Sequence, residues 1–233
     1  MSLKQLGLAA FSATLAIAAN PIQLPAVAAM TTAAAQASIA QLAQANTQSD
    51  RLFEQAANLM DAGKPAEALA VFDQILKADP NYVKAWLGRG FALYDLNRFK
   101  ESATAFQRAT QLQPNLVIAW MGLGNALDDA GQPEAALTAY DRGLQLEPKN
   151  VAIWFNKGIT LQGMKRYTDA LAAYDQAIAY APNFERAWFN RGVVLAQLKR
   201  YREAIAAMEQ TLKINPNNPK AQEALEILRK QVG

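Results

Sequence analysis

At 233 residues and 52% apolar content, the chain is long enough to bury a sizeable core, and its 12 glycines and 10 prolines are too few for a collagen-like or wholly disordered chain. It contains no cysteine, which excludes disulfides, thiolate chemistry and an acylated-cysteine anchor, and no histidine, the commonest general base and metal ligand. A formal charge of +3 with both signs interspersed is too mild to point to nucleic acid, and no such partner is expected.

The opening differs from everything after it. No charged side chain lies between Lys4 and Asp50. A positive start (Met1 to Lys4) leads into an apolar run from Leu6 to Ala19, and Ala26-Val27-Ala28 fits a small-residue cleavage site. Residues 1–28 therefore read as a signal peptide. The apolar run stops at Asn20 and Pro21, short of the roughly 20 residues a spanning helix needs. Because Leu24 to Met30 is apolar again, the alternative is a retained N-terminal anchor, and only then would the chain meet a membrane. Residues 29–48 form a linker rich in Ala and Gln, of marginal helicity when isolated.

From Ser49 onward the sequence repeats. Pro80, Pro114, Pro148, Pro182 and Pro216 lie 34 residues apart, as do Trp86, Trp120, Trp154 and Trp188, and Gly90, Gly124, Gly158 and Gly192. The units are 49–82, 83–116, 117–150, 151–184 and 185–218. Each proline stops the second helix of its unit, and Pro-Asn pairs at 80, 114, 182 and 216 turn the chain into the next. The tryptophan is expected to be the apolar wedge of the first helix, and the glycine one turn on admits the partner helix. Ala68, Ser102, Ala136, Ala170 and Ala204 supply small contacts at the crossing, while Phe72, Phe106, Tyr140, Tyr174 and Met208 fill the space between units. All of these are predicted core. Residues 219–233 end the chain with an amphipathic helix, its stripe of Ala221, Ala224, Leu225 and Leu228 lying opposite Lys220, Glu223, Glu226, Arg229 and Lys230.

The 34-residue period with this Trp–Gly–Ala–aromatic–Pro order resembles the tetratricopeptide-repeat (TPR) family over about residues 49 to 218. The resemblance implies an all-α fold, a right-handed α-solenoid of five TPR helical hairpins with a C-terminal capping helix. It also implies a scaffold or adaptor rather than an enzyme, with a concave groove lined by the first helices that takes a protein or peptide client. Some positions depart from the family. Arg89, Lys157 and Arg191 stand where Leu is usual, Leu93, Leu127, Leu161 and Leu195 where Tyr is frequent, and the worn first unit has Leu52 and Ala56 for Trp and Gly.

Carried over residue by residue, the pattern puts the residue after each tryptophan in the groove: Phe53 (by phase), Leu87, Met121, Phe155 and Phe189, an apolar stripe. Phe91, Asn125 and Ile159 follow one turn along. Asn156 and Asn190 lie beside the stripe, with amides able to donate to and accept from a peptide backbone. In the two-carboxylate clamp of chaperone-binding members, Asn125, Asn156 and Arg186 match three positions. Met121 and Asn190 replace the remaining cations, so the resemblance implies an apolar ligand rather than an acidic one. Asp128-Asp129 reads as solvated surface, and Lys165-Arg166 with Lys199 to Arg202 as a solvated basic rim.

The expected function is an exported, monomeric adaptor binding an apolar peptide or helix of a client. The repeats resemble those of TPR proteins from cyanobacteria and other Gram-negative bacteria, which suggests periplasm or thylakoid lumen and an assembly-factor role. The alternative is a structural subunit assembling through its ends or convex face, its groove empty or filled by its own N-terminal segment. No nucleophile–base pair, phosphate loop or metal-ligand set is legible, so no enzymatic activity and no cofactor are expected.

Overall fold

A computed structural model describes residues 48–232. The predicted leader (1–28) and the linker up to residue 47 lie outside the described residues. Among those described there are eleven helices and no strand. They are α1 (48–61), α2 (Pro65–Ala78), α3 (Val83–Asp95), α4 (Phe99–Leu112), α5 (Val117–Asp129), α6 (Pro133–Leu146), α7 (Val151–Gly163), α8 (Tyr167–Tyr180), α9 (Glu185–Gln197), α10 (Tyr201–Ile214) and α11 (Pro219–Val232). The first ten make five consecutive helical hairpins and α11 follows as the cap, the fold class the repeats predict. No described helix is long and apolar enough to cross a membrane.

The turn inside each hairpin is made the same way five times. Gly63, Asn97, Gly131, Lys165 and Lys199 share one register position, and all have positive φ, between 58° and 78°. A left-handed residue there ends the first helix and lets the next amide reach back, as Arg98 N–H does to the Leu93 carbonyl at 2.9 Å. Glycine adopts this conformation without strain, whereas the two lysines bear a steric cost.

The turn between hairpins has its own fastening. The indole N–H of Trp86 donates to the Pro80 carbonyl at 2.8 Å, and Trp120, Trp154 and Trp188 do the same to Pro114, Pro148 and Pro182. The tryptophans, predicted as core, are instead half-buried. Their N–H must reach a turn at the edge, and in three of them a cation covers the outer face: Arg89, Lys157 and Arg191 lie 5.4–5.7 Å from the ring centroids. These are the cations that replace the family's leucine. Each also pairs with an aspartate on the preceding hairpin, Asp73, Asp141 or Asp175, at 2.5–2.7 Å. In α11, Gln222 occupies the tryptophan register and donates to the Pro216 carbonyl at 2.9 Å. The cap thus takes the place and the fastening of the first helix of a further repeat.

The chain divides into two compact units, the first ending at Gly122 and the second beginning at Leu123, within α5. In unit 1 the fully buried side chains include Phe72, Ile75, Leu93 and Phe106. The Phe106 ring lies between two glycines. A Cβ on Gly90 would come within 2.7 Å of it, and one on Gly122 within 2.6 Å. Phe72 is met in the same way by Gly88, at 2.3 Å. In unit 2 the equivalents of Phe106 are Tyr140 and Tyr174, each tight against the glycine of its own hairpin, Gly124 or Gly158. The small residues of the second helices, Ala68, Ser102, Ala136, Ala170 and Ala204, are all fully buried, as predicted. Ala221, Leu225 and Leu228 of α11 are also buried, whereas Ala224 is only half-buried.

Candidate peptide-binding face

The face in question is the run of first-helix residues following each tryptophan. In unit 1 its side chains turn into the protein. Phe53 packs on Phe72 and Tyr82, with ring centroids 6.0 and 6.2 Å apart, and Phe91 meets the edge of Phe106 at 5.0 Å. Leu87 and Met121 are buried as well. The stripe expected to line the groove is buried here, with Phe53 and Phe91 against the chain's own aromatic rings.

Unit 2 is different. Asn150 caps α7, its side-chain oxygen accepting from the Ile153 amide at 3.1 Å, and so fixes where Phe155, Asn156 and Ile159 emerge. Phe155 is 2% exposed. Phe184 and Tyr174 pack on it at centroid distances of 4.8 and 5.8 Å, and the Arg186 guanidinium lies 4.8 Å from its ring centroid. It forms a platform rather than an open contact. Ile159, by contrast, is 39% exposed, and Asn156, Arg186, Phe189 and Asn190 are half-buried.

The asparagines are partly engaged with the chain itself. Asn125 is buried, and its Oδ1 accepts both the Tyr140 hydroxyl at 2.7 Å and Asn156 Nδ2 at 2.9 Å. One repeat along, the Tyr174 hydroxyl donates to Gln162 at 2.8 Å, and burial pushes its pKa upward. Asp128, expected to be plain solvated surface, is half-buried. Burial raises its carboxyl pKa above the ordinary range, against a hydrogen bond from Thr160 that lowers it, with Asp129 adding to the rise.

Arg186 stands apart electrostatically. Its Nη1 is buried with no hydrogen-bond partner, and burial lowers the guanidinium's pKa. The adjacent carboxylate, Glu185, is turned away and accepts from Asn215 and Asn218. The basic rim is quieter than its sequence suggests. Arg166 holds Asp169 at 2.6 Å and Arg200 holds Glu203 at 2.7 Å, as Arg98 does Glu101 in unit 1. Among the described residues no cluster of acidic side chains could hold a metal ion.

Sequence reasoning missed Phe184 and Glu185, which decide the surroundings of Phe155 and Arg186. It also missed Gly88 and Gly122, which stand in unit 1 where unit 2 has Asn156 and Asn190. The 34-residue register would have found the second pair, since both fall two residues after a tryptophan.

Hairpins locked by a conserved-register turn, with side chains presented from the first helix of each, define a helical-repeat interaction scaffold. Tetratricopeptide-repeat sequence profiles match residues 53–117 and 155–219, and a further one matches 117–160. The chain belongs to the tetratricopeptide-repeat family, a family of protein-interaction scaffolds. Among solved structures it resembles YrrB, described as a TPR protein with an unusual peptide-binding site, at 23% identity and a TM-score of 0.65, covering 75% of this chain and 90% of that one. It also resembles MamA, at 22% identity and a TM-score of 0.67 over 71% and 96% of the two chains. A MamA fragment from Desulfovibrio magneticus RS-1 aligns at 17% identity with a TM-score of 0.68, over 73% and 97%. At these identities the likeness is one of fold. No curated protein sequence matches the chain.

Proposed function

We propose that this protein is a non-enzymatic adaptor that holds a peptide or helix of a client protein on the first-helix face of unit 2. The observation that carries the reading is the accessible group formed there by Ile159, Phe189, Asn156 and Asn190: apolar contact area flanked by amides able to grip a main chain. YrrB, a protein of the same fold described as having an unusual peptide-binding site, is in keeping with it. We read its place of work as outside the cytoplasm, periplasm or thylakoid lumen, from the leader-like opening, and an assembly-factor role accords with an adaptor located there.

The test uses accessible positions, because truncating Phe155 would damage the fold. An Ile159→Asp, Asn190→Asp double variant and the wild type are applied to an array of apolar dodecapeptides. Capture is expected to fall by roughly tenfold or more in the variant, with an unchanged melting temperature. Equal capture by the two proteins would sink the reading.

A further inference from the structure

At Asp128 the chain carries a charge that the repeat itself does not require. Tyr94, Gln162 and Ala196 hold the same register in other hairpins, so neither the helix nor its packing asks for a carboxylate there. The side chain is nonetheless half-buried. Other carboxylates of unit 2 are held by cations: Asp141 by Lys157, Asp169 by Arg166 and Asp175 by Arg191. Asp128 has a hydroxyl partner, Thr160, and no ion pair of the described residues includes it.

Its position is what gives this weight. Two rungs join α5 to α7. Asn125 accepts from Asn156 at 2.9 Å, and one turn further on Asp128 accepts from Thr160. Ile159, the chain neighbour of Thr160, is 39% exposed beside the second rung. An accessible apolar contact and a carboxylate therefore stand side by side on the face assigned to the client. Taking a carboxylate partly out of water disfavours its ionised form, and an opposite charge within hydrogen-bond reach reverses that. A client's backbone N–H is a neutral donor, as the Thr160 hydroxyl already is, whereas an ammonium or guanidinium supplies the missing charge as well.

We infer that unit 2 selects clients carrying a Lys or Arg beside the apolar residue that packs on Ile159, with Asp128 as its counter-ion. This rests on the adaptor reading above and names the chemistry of its ligand. The segment remains apolar, as the uncharged Met121 and Asn190 led one to expect, but it bears one cation.

The full chain is tested by fluorescence anisotropy against N-acetylated, C-terminally amidated dodecapeptide pools randomised over Ala, Val, Leu, Phe and Ser, with one central position fixed as Lys or as Gln. A third pool keeps the central Gln and has a free N-terminal amine. Wild type is expected to bind the Lys pool roughly fivefold tighter than the Gln pool, an advantage that shrinks with added salt. Asp128→Asn, which keeps an acceptor for Thr160, should erase the advantage while leaving affinity for the Gln pool unchanged, and Asp128→Glu should keep part of it. Asp128→Gln copies the next hairpin's residue at this register and decides the matter if the asparagine variant fails to fold. No Lys preference in wild type overturns the inference and leaves the adaptor reading standing. So does a preference that survives in Asp128→Asn, as attraction to the exposed Asp129 would. An equal loss of both pools in Asp128→Asn overturns it too, because the residue would then shape the face rather than read charge. Preference for the free amine over the internal Lys overturns the side-chain assignment. Binding to none of the pools overturns the adaptor reading and this inference together.

Discussion

Units 1 and 2 solve the same packing problem by different chemistry. In unit 1 each second helix contributes a phenylalanine, and the following hairpin yields to it with a glycine: Phe72 meets Gly88, and Phe106 meets Gly122. In unit 2 two of the three second helices contribute tyrosines, with Met208 at the same register in the third, and the equivalent glycines are replaced by Asn156 and Asn190. Each tyrosine hydroxyl is tied within its own hairpin, Tyr140 to Asn125 and Tyr174 to Gln162. The first arrangement relies on close contact of a bare ring with backbone. The second gives up some of that approach, gains hydrogen bonds and leaves amides near the surface. A repeat can therefore keep its fold while changing the face it offers, and in this chain the polar, partly accessible face belongs to unit 2.

The sharpest way to break the comparison is to empty the unit 1 slot. Phe106→Ala removes a fully buried ring from between Gly90 and Gly122, neither of which has a side chain to fill the void. A loss of about 3–5 kcal/mol is expected in chemical denaturation. Grafting the unit 2 solution onto unit 1 comes next. In Gly122→Asn the new Cβ stands 2.6 Å from the Phe106 ring, which cannot retreat because Gly90 closes the other side. The better helix propensity of asparagine offsets only a few tenths, so a net loss of about 2 kcal/mol is expected. If Gly122→Asn proves neutral, the two packing modes are interchangeable and the contrast between the units fails.

Tyr140→Phe probes the other side. The ring is 1% exposed and stays in place, the hydroxyl's bond to Asn125 is lost, and Asn125 keeps its bond from Asn156. The expected loss is about 1 kcal/mol by denaturation. A cost as large as that of Phe106→Ala would mean that the hydroxyl organises unit 2 rather than trimming it.

The repeat was legible because its markers are rigid demands of backbone and space: a proline where a helix must stop, a glycine where a ring must approach, a small residue where helices cross. Burial along the candidate face was much less so. Phe155 and Phe189 share a register position, yet one is sealed and the other half-exposed. The cause lies a full repeat downstream. Phe184 and Arg186 cover Phe155, whereas Asn218 and Lys220 occupy the corresponding positions after Phe189. A pattern read along one helix cannot carry information held by the next. The tryptophans teach a related lesson, since their size argued for the core while their N–H bond to a proline carbonyl drew them to the edge.

The smallest expected effect concerns Asp128, which stands in unit 2 where unit 1 has Tyr94. Burial is the main cause of its raised pKa, outweighing the Thr160 hydrogen bond, so the fold disfavours its ionised form. The sign follows from linkage. The penalty is present above the folded-state pKa and is relieved as pH falls through the unfolded-state value, below which the carboxyl is protonated in both states. Asp128→Asn should therefore melt about one degree higher than wild type at neutral pH, and the difference should close as pH is lowered through the carboxylate range. A gap that stays constant with pH would assign the gain to something other than the charge. A variant that melts lower at neutral pH would mean that the Thr160 bond to the carboxylate outweighs its burial, and this position of unit 2 would then stabilise its charge.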